Sequence, residues 1–81
     1  MITVDNVLHL GSVVEHANVG QSFYLEFDYG IRLNMEKEKH TFKISLTMHG
    51  RPFFTKTDYF IEPNLATELN REVRAFLCYI H

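Results

Sequence analysis

Glu26 and Asp28 stand two residues apart, a spacing that puts both carboxylates on one side of an extended strand. Neighbouring carboxylates can split their pKa values and divide the work of acid and base. The strand pairing read below sets His49 opposite Glu26, where a carboxylate would fix its tautomer or raise its pKa. Together these three residues could move a proton. An open sheet face, however, excludes no water, and Arg32 and Lys43 lie near enough to neutralise both acids. The constellation therefore reads as a solvated polar face. An enzyme using Glu26, Asp28 and His49 is the weakest of three functional readings, and enzymatic activity is not expected.

The other reactive side chains are scattered. Five histidines, at positions 9, 16, 40, 49 and 81, show no pair at the spacing of a zinc half-site. Cys78 and His81 form C-x-x-H without a second half-site, so no metal is expected. The four glycines stand singly at 11, 20, 30 and 50, which leaves no phosphate-cradling loop, and no G-x-S-x-G elbow occurs. No cofactor is implied. Cys78 is the single cysteine, so no internal disulfide can form. With no basic, apolar leader at the start of the sequence and no apolar run of membrane-spanning length, a reducing cytoplasmic setting is expected.

Eighty-one residues accommodate one domain, 1–81, and exclude the large enzyme scaffolds. Hydrophobic residues at 46% and charged residues at 22% are ordinary globular usage, against disorder. A net charge of −2 is too near neutral for a general grip on nucleic acid. Tyr24, Phe54 and Phe60 could stack single-stranded bases, but Arg32, Lys43 and Lys56 share their face with as many carboxylates. Nucleic acid is not the expected partner.

The elements that position these residues follow from periodicity. Phe23, Leu25, Phe27, Tyr29, Ile31, Leu33 and Met35 alternate with Tyr24, Glu26, Asp28, Gly30, Arg32 and Asn34, the pattern of one long half-buried strand. Glu36-Lys37-Glu38-Lys39 reads as a solvated tip. A second strand then carries Phe42, Ile44, Leu46 and Met48 inward, pairing Leu33 with Phe42, Ile31 with Ile44, Tyr29 with Leu46 and Phe27 with Met48. Residues 22–49 thus form a long central hairpin.

His49-Gly50-Arg51-Pro52 is the next turn, and Phe53 to Ile61 the next strand. Setting Met48 by Phe53 and Phe42 by Tyr59 points Phe54, Lys56, Asp58 and Phe60 outward and places Lys43 opposite Asp58. A helix follows over residues 64–80 with Asn64 as its N-cap. Leu65, Leu69, Val73, Phe76 and Ile80 form its apolar stripe, and Thr67, Arg71, Arg74 and Cys78 face away. The first twenty residues fit one or two short strands, and less well a helix capped by Asp5 that buries Val7, Leu10, Val14 and Ala17. The fold class is α+β: an antiparallel meander of three to five strands with a C-terminal helix packed on one face.

One helix covers one sheet face. The other then exposes Tyr24, Phe54 and Phe60, with Lys56 and Arg32 beside them, unless the N-terminal segment folds over it. Aromatic anchors with a polar rim have the composition of a protein interface. The first functional reading is a non-enzymatic protein-binding module that occupies a partner's surface. Small inhibitors or regulators encoded by viruses and mobile elements against host defence fall in this size class. The second reading is a subunit of a homo-oligomeric, chaperone-like or structural assembly, a homodimer in its simplest form, whose sheet faces pair. Arg71 and Arg74 make a secondary, basic candidate surface on the helix.

Overall fold

The computed structural model describes residues 1–80. Helix α1 (Val4–Glu15) is followed by four strands, β1 (Ser22–Glu26), β2 (Ile31–Lys37), β3 (Phe42–Met48) and β4 (Arg51–Asp58), and then helix α2 (Leu65–Ile80). The strands form one antiparallel sheet in the order β1-β2-β3-β4, a meander. The α+β class stands as the periodicity predicts.

The N-terminal segment is a helix, where β-branched residues favour strand. Thr3 caps it: its hydroxyl accepts from the Asn6 amide at 3.0 Å while the Asn6 side chain accepts from the Thr3 amide at 3.0 Å. That reciprocal pair satisfies two otherwise orphaned donors. Val7, Leu10 and Val14 are buried against the sheet, and burial on this face outweighs the weak strand propensity of Val13 and Val14. Gly11 lies on the same face. A methyl group there would come within 2.7 Å of the Ile61 side chain, so glycine sets how closely the segment after β4 approaches α1.

The long alternating run is two strands rather than one. Asp28–Gly30 forms a single 3-10 turn, with Tyr29 at φ 65° and Gly30 at φ 72°, and the Phe27 amide donates to the Ile31 carbonyl at 2.7 Å. Pairing runs Phe23 with Met35 and Leu25 with Leu33. The β2–β3 register is displaced by four residues from the expected one: Ile31 meets Met48, Leu33 meets Leu46 and Met35 meets Ile44. A displacement by an even number of residues keeps every side chain on its face. It also sets Glu36 opposite Lys43 and extends β2 through Lys37, so half of the charged tip is strand.

β4 departs further. The chain turns through His49 and Gly50 alone, both at positive φ, as a two-residue hairpin loop requires. Pro52 then occupies an edge strand, where no amide is missed. An irregularity beside Leu46 and Thr47 leaves Phe53 without a partner and sets Phe54 opposite Leu46, Lys56 opposite Ile44 and Asp58 opposite Phe42. Phe54, Lys56 and Asp58 therefore face the helices, and Lys43 meets Thr57 instead of Asp58.

Both helices pack on this one face. Ile31, Leu33, Met35, Ile44 and Leu46 are fully buried beneath Val7, Val14, Leu69 and Val73. α1 lies against β1 and β2. α2 is joined to β4 by the stack of Phe53 on Phe76, whose ring centres are 4.0 Å apart, and by Lys56 with Glu68. Its stripe buries Leu65, Leu69 and Val73, half-buries Phe76 and leaves Ile80 exposed. Asn70 ties the helices together: its side-chain amide donates to the Ile2 carbonyl at 2.7 Å and its oxygen accepts from the Ile2 amide at 2.9 Å. The radius of gyration is 12.0 Å, close to the roughly 11.7 Å of a compact chain of this length.

Candidate protein-binding surface

The uncovered sheet face is polar. Its cross-strand rows run Ser22-Glu36-Lys43-Thr57, Tyr24-Asn34-Ser45-Thr55 and Glu26-Arg32-Thr47-Pro52. Tyr24 is the one large apolar side chain among them, 54% exposed, with the Arg32 guanidinium 4.4 Å from its ring centre. The Arg32 Nε donates to Glu26 Oε1 at 3.1 Å. That ion pair engages one of the three residues read as a proton-transfer site. Asp28 lies in the turn after β1, and the exposed His49 ring rests against Gly30 and not opposite Glu26. None of the three borders the depressions described below.

The sequence-derived interface residues separate onto different faces. Tyr24 and Arg32 are on the open face. Phe54 is half-buried against the core on the helix side. Lys56 is there too, its ammonium 2.8 Å from Glu68 and 2.9 Å from Asp58. Hydrogen bonds to Glu68 first and Asp58 second hold the Lys56 pKa above the ordinary lysine value, against the opposing cost of burial. Lys56 reaches this position from its place opposite Ile44, with its ammonium extending to Glu68 of α2. Arg71 and Arg74 are exposed on α2, and Arg74 borders a depression with Met1 and Asn70. Cys78 is exposed beside them, and His81 of the C-x-x-H pattern lies outside the described residues. Among the described residues, no three histidine, cysteine or carboxylate side chains come together as metal ligands would. No helix of the described chain is long and apolar enough to cross a membrane.

Phe60 occupies a different position from either face. It follows β4 in the segment Tyr59–Asn64 that leads to α2, and it is 74% exposed, with Tyr59 at 69%. It borders two depressions. The first, of about 260 Å³, is walled by the Lys56 cluster, Tyr59, Glu62 and Leu65. The second, of about 200 Å³, runs along α1 past Leu8, Gly11 and Glu15, with Phe42 and Ile61 on its far side. Leu8 and Val4, one helical turn apart, continue this apolar exposure along α1.

The exposed aromatic surface thus lies where the end of β4 meets α1, and sequence reasoning identified Phe60 but missed Tyr59, Leu8, Glu15 and Glu62. A signal was present: Tyr59 and Phe60 are adjacent aromatics just before Pro63, and in a regular strand neighbouring side chains point to opposite faces, so one of the two is turned from the core. α1 borders Phe60 and lies on the opposite side of the sheet from Tyr24, so the N-terminal segment covers neither aromatic. In comparisons with known proteins the chain matches no family model, no curated protein and no solved structure.

Proposed function

We propose that this chain is a protein-binding module that acts by occupying a partner's surface, with Phe60 as its anchor. The carrying observation is the placement of Phe60: three-quarters exposed, held between a strand and a helix, with a depression on either side. A large aromatic presented this way costs free energy in water unless a partner removes it from solvent. Desolvated aromatic anchors flanked by pockets carry much of the energy of protein interfaces. The role is that of an inhibitor or regulator, and a small protein encoded by a virus or mobile element against host defence is the proposed setting. Cytoplasmic residence is part of the proposal, supported by the exposed free thiol of Cys78. Pairing of open sheet faces into a homo-oligomer is the less favoured reading, because those faces offer one exposed aromatic among hydroxyls, amides and balanced charges.

The test is affinity capture from extract of the cells that encode the protein, using the wild type, Phe60→Ser, Tyr24→Ser and Phe54→Ser. A discrete partner should be retained by the wild type and by Tyr24→Ser and lost by Phe60→Ser. Phe60→Ser should keep its circular dichroism and lie within about 0.5 kcal/mol of wild-type stability. Phe54→Ser should instead lose about 2 kcal/mol, because Phe54 packs against the core. Equal retention on Phe60→Ser overturns the assignment.

A further inference from the structure

We infer that the Phe60 surface docks a basic segment: a stretch of partner chain that carries lysine or arginine beside an apolar side chain. This rests on the protein-binding reading of Phe60 and adds the partner's chemistry.

Charge is the observation that selects the occupant. The two depressions beside Phe60 are bordered by four carboxylates, Glu15, Asp58, Glu62 and Glu68, and by one ammonium, Lys56. The surface therefore carries minus three against minus two for the whole chain, which leaves the rest of the molecule at plus one. The excess negative charge of this protein is concentrated around its most prominent aromatic pair. Lys56 does not repel a second cation as a free lysine would, because it lies between Asp58 and Glu68, in contact with both.

Glu62 and Glu15 are different. Among the described residues neither forms an ion pair, both are exposed, and they border opposite depressions. A segment laid across Phe60 would bring its apolar side chain onto the ring and its cations towards Glu62 on one side and Glu15 on the other. The aromatic faces of Tyr59 and Phe60 also attract ammonium and guanidinium groups. The two sides are not equivalent. Lys37 donates its ammonium to the Glu15 carbonyl at the end of α1 and lies 5.5 Å from the Phe42 ring centre, which screens the Glu15 side. Glu62 is therefore the stronger of the two positions. An acidic partner would meet like charge on both sides.

The experiment uses isotope-labelled protein and three short capped peptides that repeat Leu-Lys-Lys, Leu-Ser-Ser or Leu-Glu-Glu, followed by amide chemical shifts. The Leu-Lys-Lys peptide should shift the amides of Tyr59 to Glu62 and of Leu8 to Glu15, and leave Tyr24 and Asn34 unmoved. Its affinity should fall on raising salt from about 50 to 500 mM. Glu62→Gln should weaken it about two- to fivefold, Glu15→Gln less, and Phe60→Ser more than tenfold. Equal binding of Leu-Ser-Ser at the same amides overturns the charge inference and leaves the docking reading standing. Shifts confined to other faces, or none with any peptide, overturn both. Concentration-dependent shifts of the same amides in the free protein would make a second copy the occupant and also overturn the inference.

Discussion

Tyr29 and Gly30 show how much one residue decides. Both sit at positive φ, and between Phe27 and Ile31 they reverse the chain that would otherwise continue as a single strand. Gly30 is needed there twice over: a β-carbon strains the left-handed backbone, and it would collide with the His49 ring, which lies against the glycine while the His49 amide donates to the Gly30 carbonyl at 3.1 Å. Gly30→Ala should cost about 1 kcal/mol for its backbone and more for the displaced ring. In a His49→Ala background only the first part should remain, so urea denaturation of the four proteins in this cycle should show positive coupling. An equal cost in both backgrounds would mean that the ring yields freely.

At the level of elements, β4 is the instructive strand. Charged residues opposite Ile44 and Phe42 argue against the helix-facing register when the sheet is considered alone. α2 reverses that judgement by bringing Glu68 to within 2.8 Å of Lys56, so a lysine can lie over the core side of an edge strand with its charge met. Because these carboxylates raise the Lys56 pKa, the bridge contributes stability fully below the ordinary lysine value of 10.5 and loses it as pH rises through the higher folded value. Lys56→Met should cost about 1 kcal/mol near neutral pH, modest because both partners are partly in solvent. The difference between variant and wild type in thermal unfolding should stay level up to about pH 9.5 and close above 10.5. A difference that does not change with pH would assign the loss to packing of the lysine stem.

The whole molecule is a two-layer sandwich in which one face of the sheet holds both helices and the other remains in water. β2 and β3 lie between neighbours and supply the fully buried residues of the sheet, while β1 and β4 each leave one edge unpaired. Amide hydrogen exchange should therefore be slowest at Leu33, Met35, Ile44 and Leu46, and faster along the outer edges of β1 and β4. If the outward amides of β4 exchange as slowly as those of β3, that edge is paired with another copy. The same layout sets where a partner can dock. The open face offers hydroxyls and paired charges, so the apolar and acidic features gather at the end of the sheet beside α1.

The sequence alone determined the α+β class, the inward residues of β2 and β3, the position of α2 with the buried Leu65, Leu69 and Val73 of its stripe, and the exposure of Phe60, because each rests on periodicity or punctuation within a short stretch. Three decisions belonged to tertiary structure. A turn of three residues preserves odd-even parity, so alternation from Phe23 to Met35 is the same for one strand as for a hairpin, and only the pairing of Leu25 with Leu33 tells them apart. The N-terminal segment has propensity for either state, and Thr3 capping together with burial of Val7, Leu10 and Val14 made it a helix. The unpaired Phe53 and the approach of Glu68 turned Phe54 and Lys56 inward. The surface around Phe60 joins residues fifty positions apart, and no local pattern encodes a meeting that depends on how two layers close around one core.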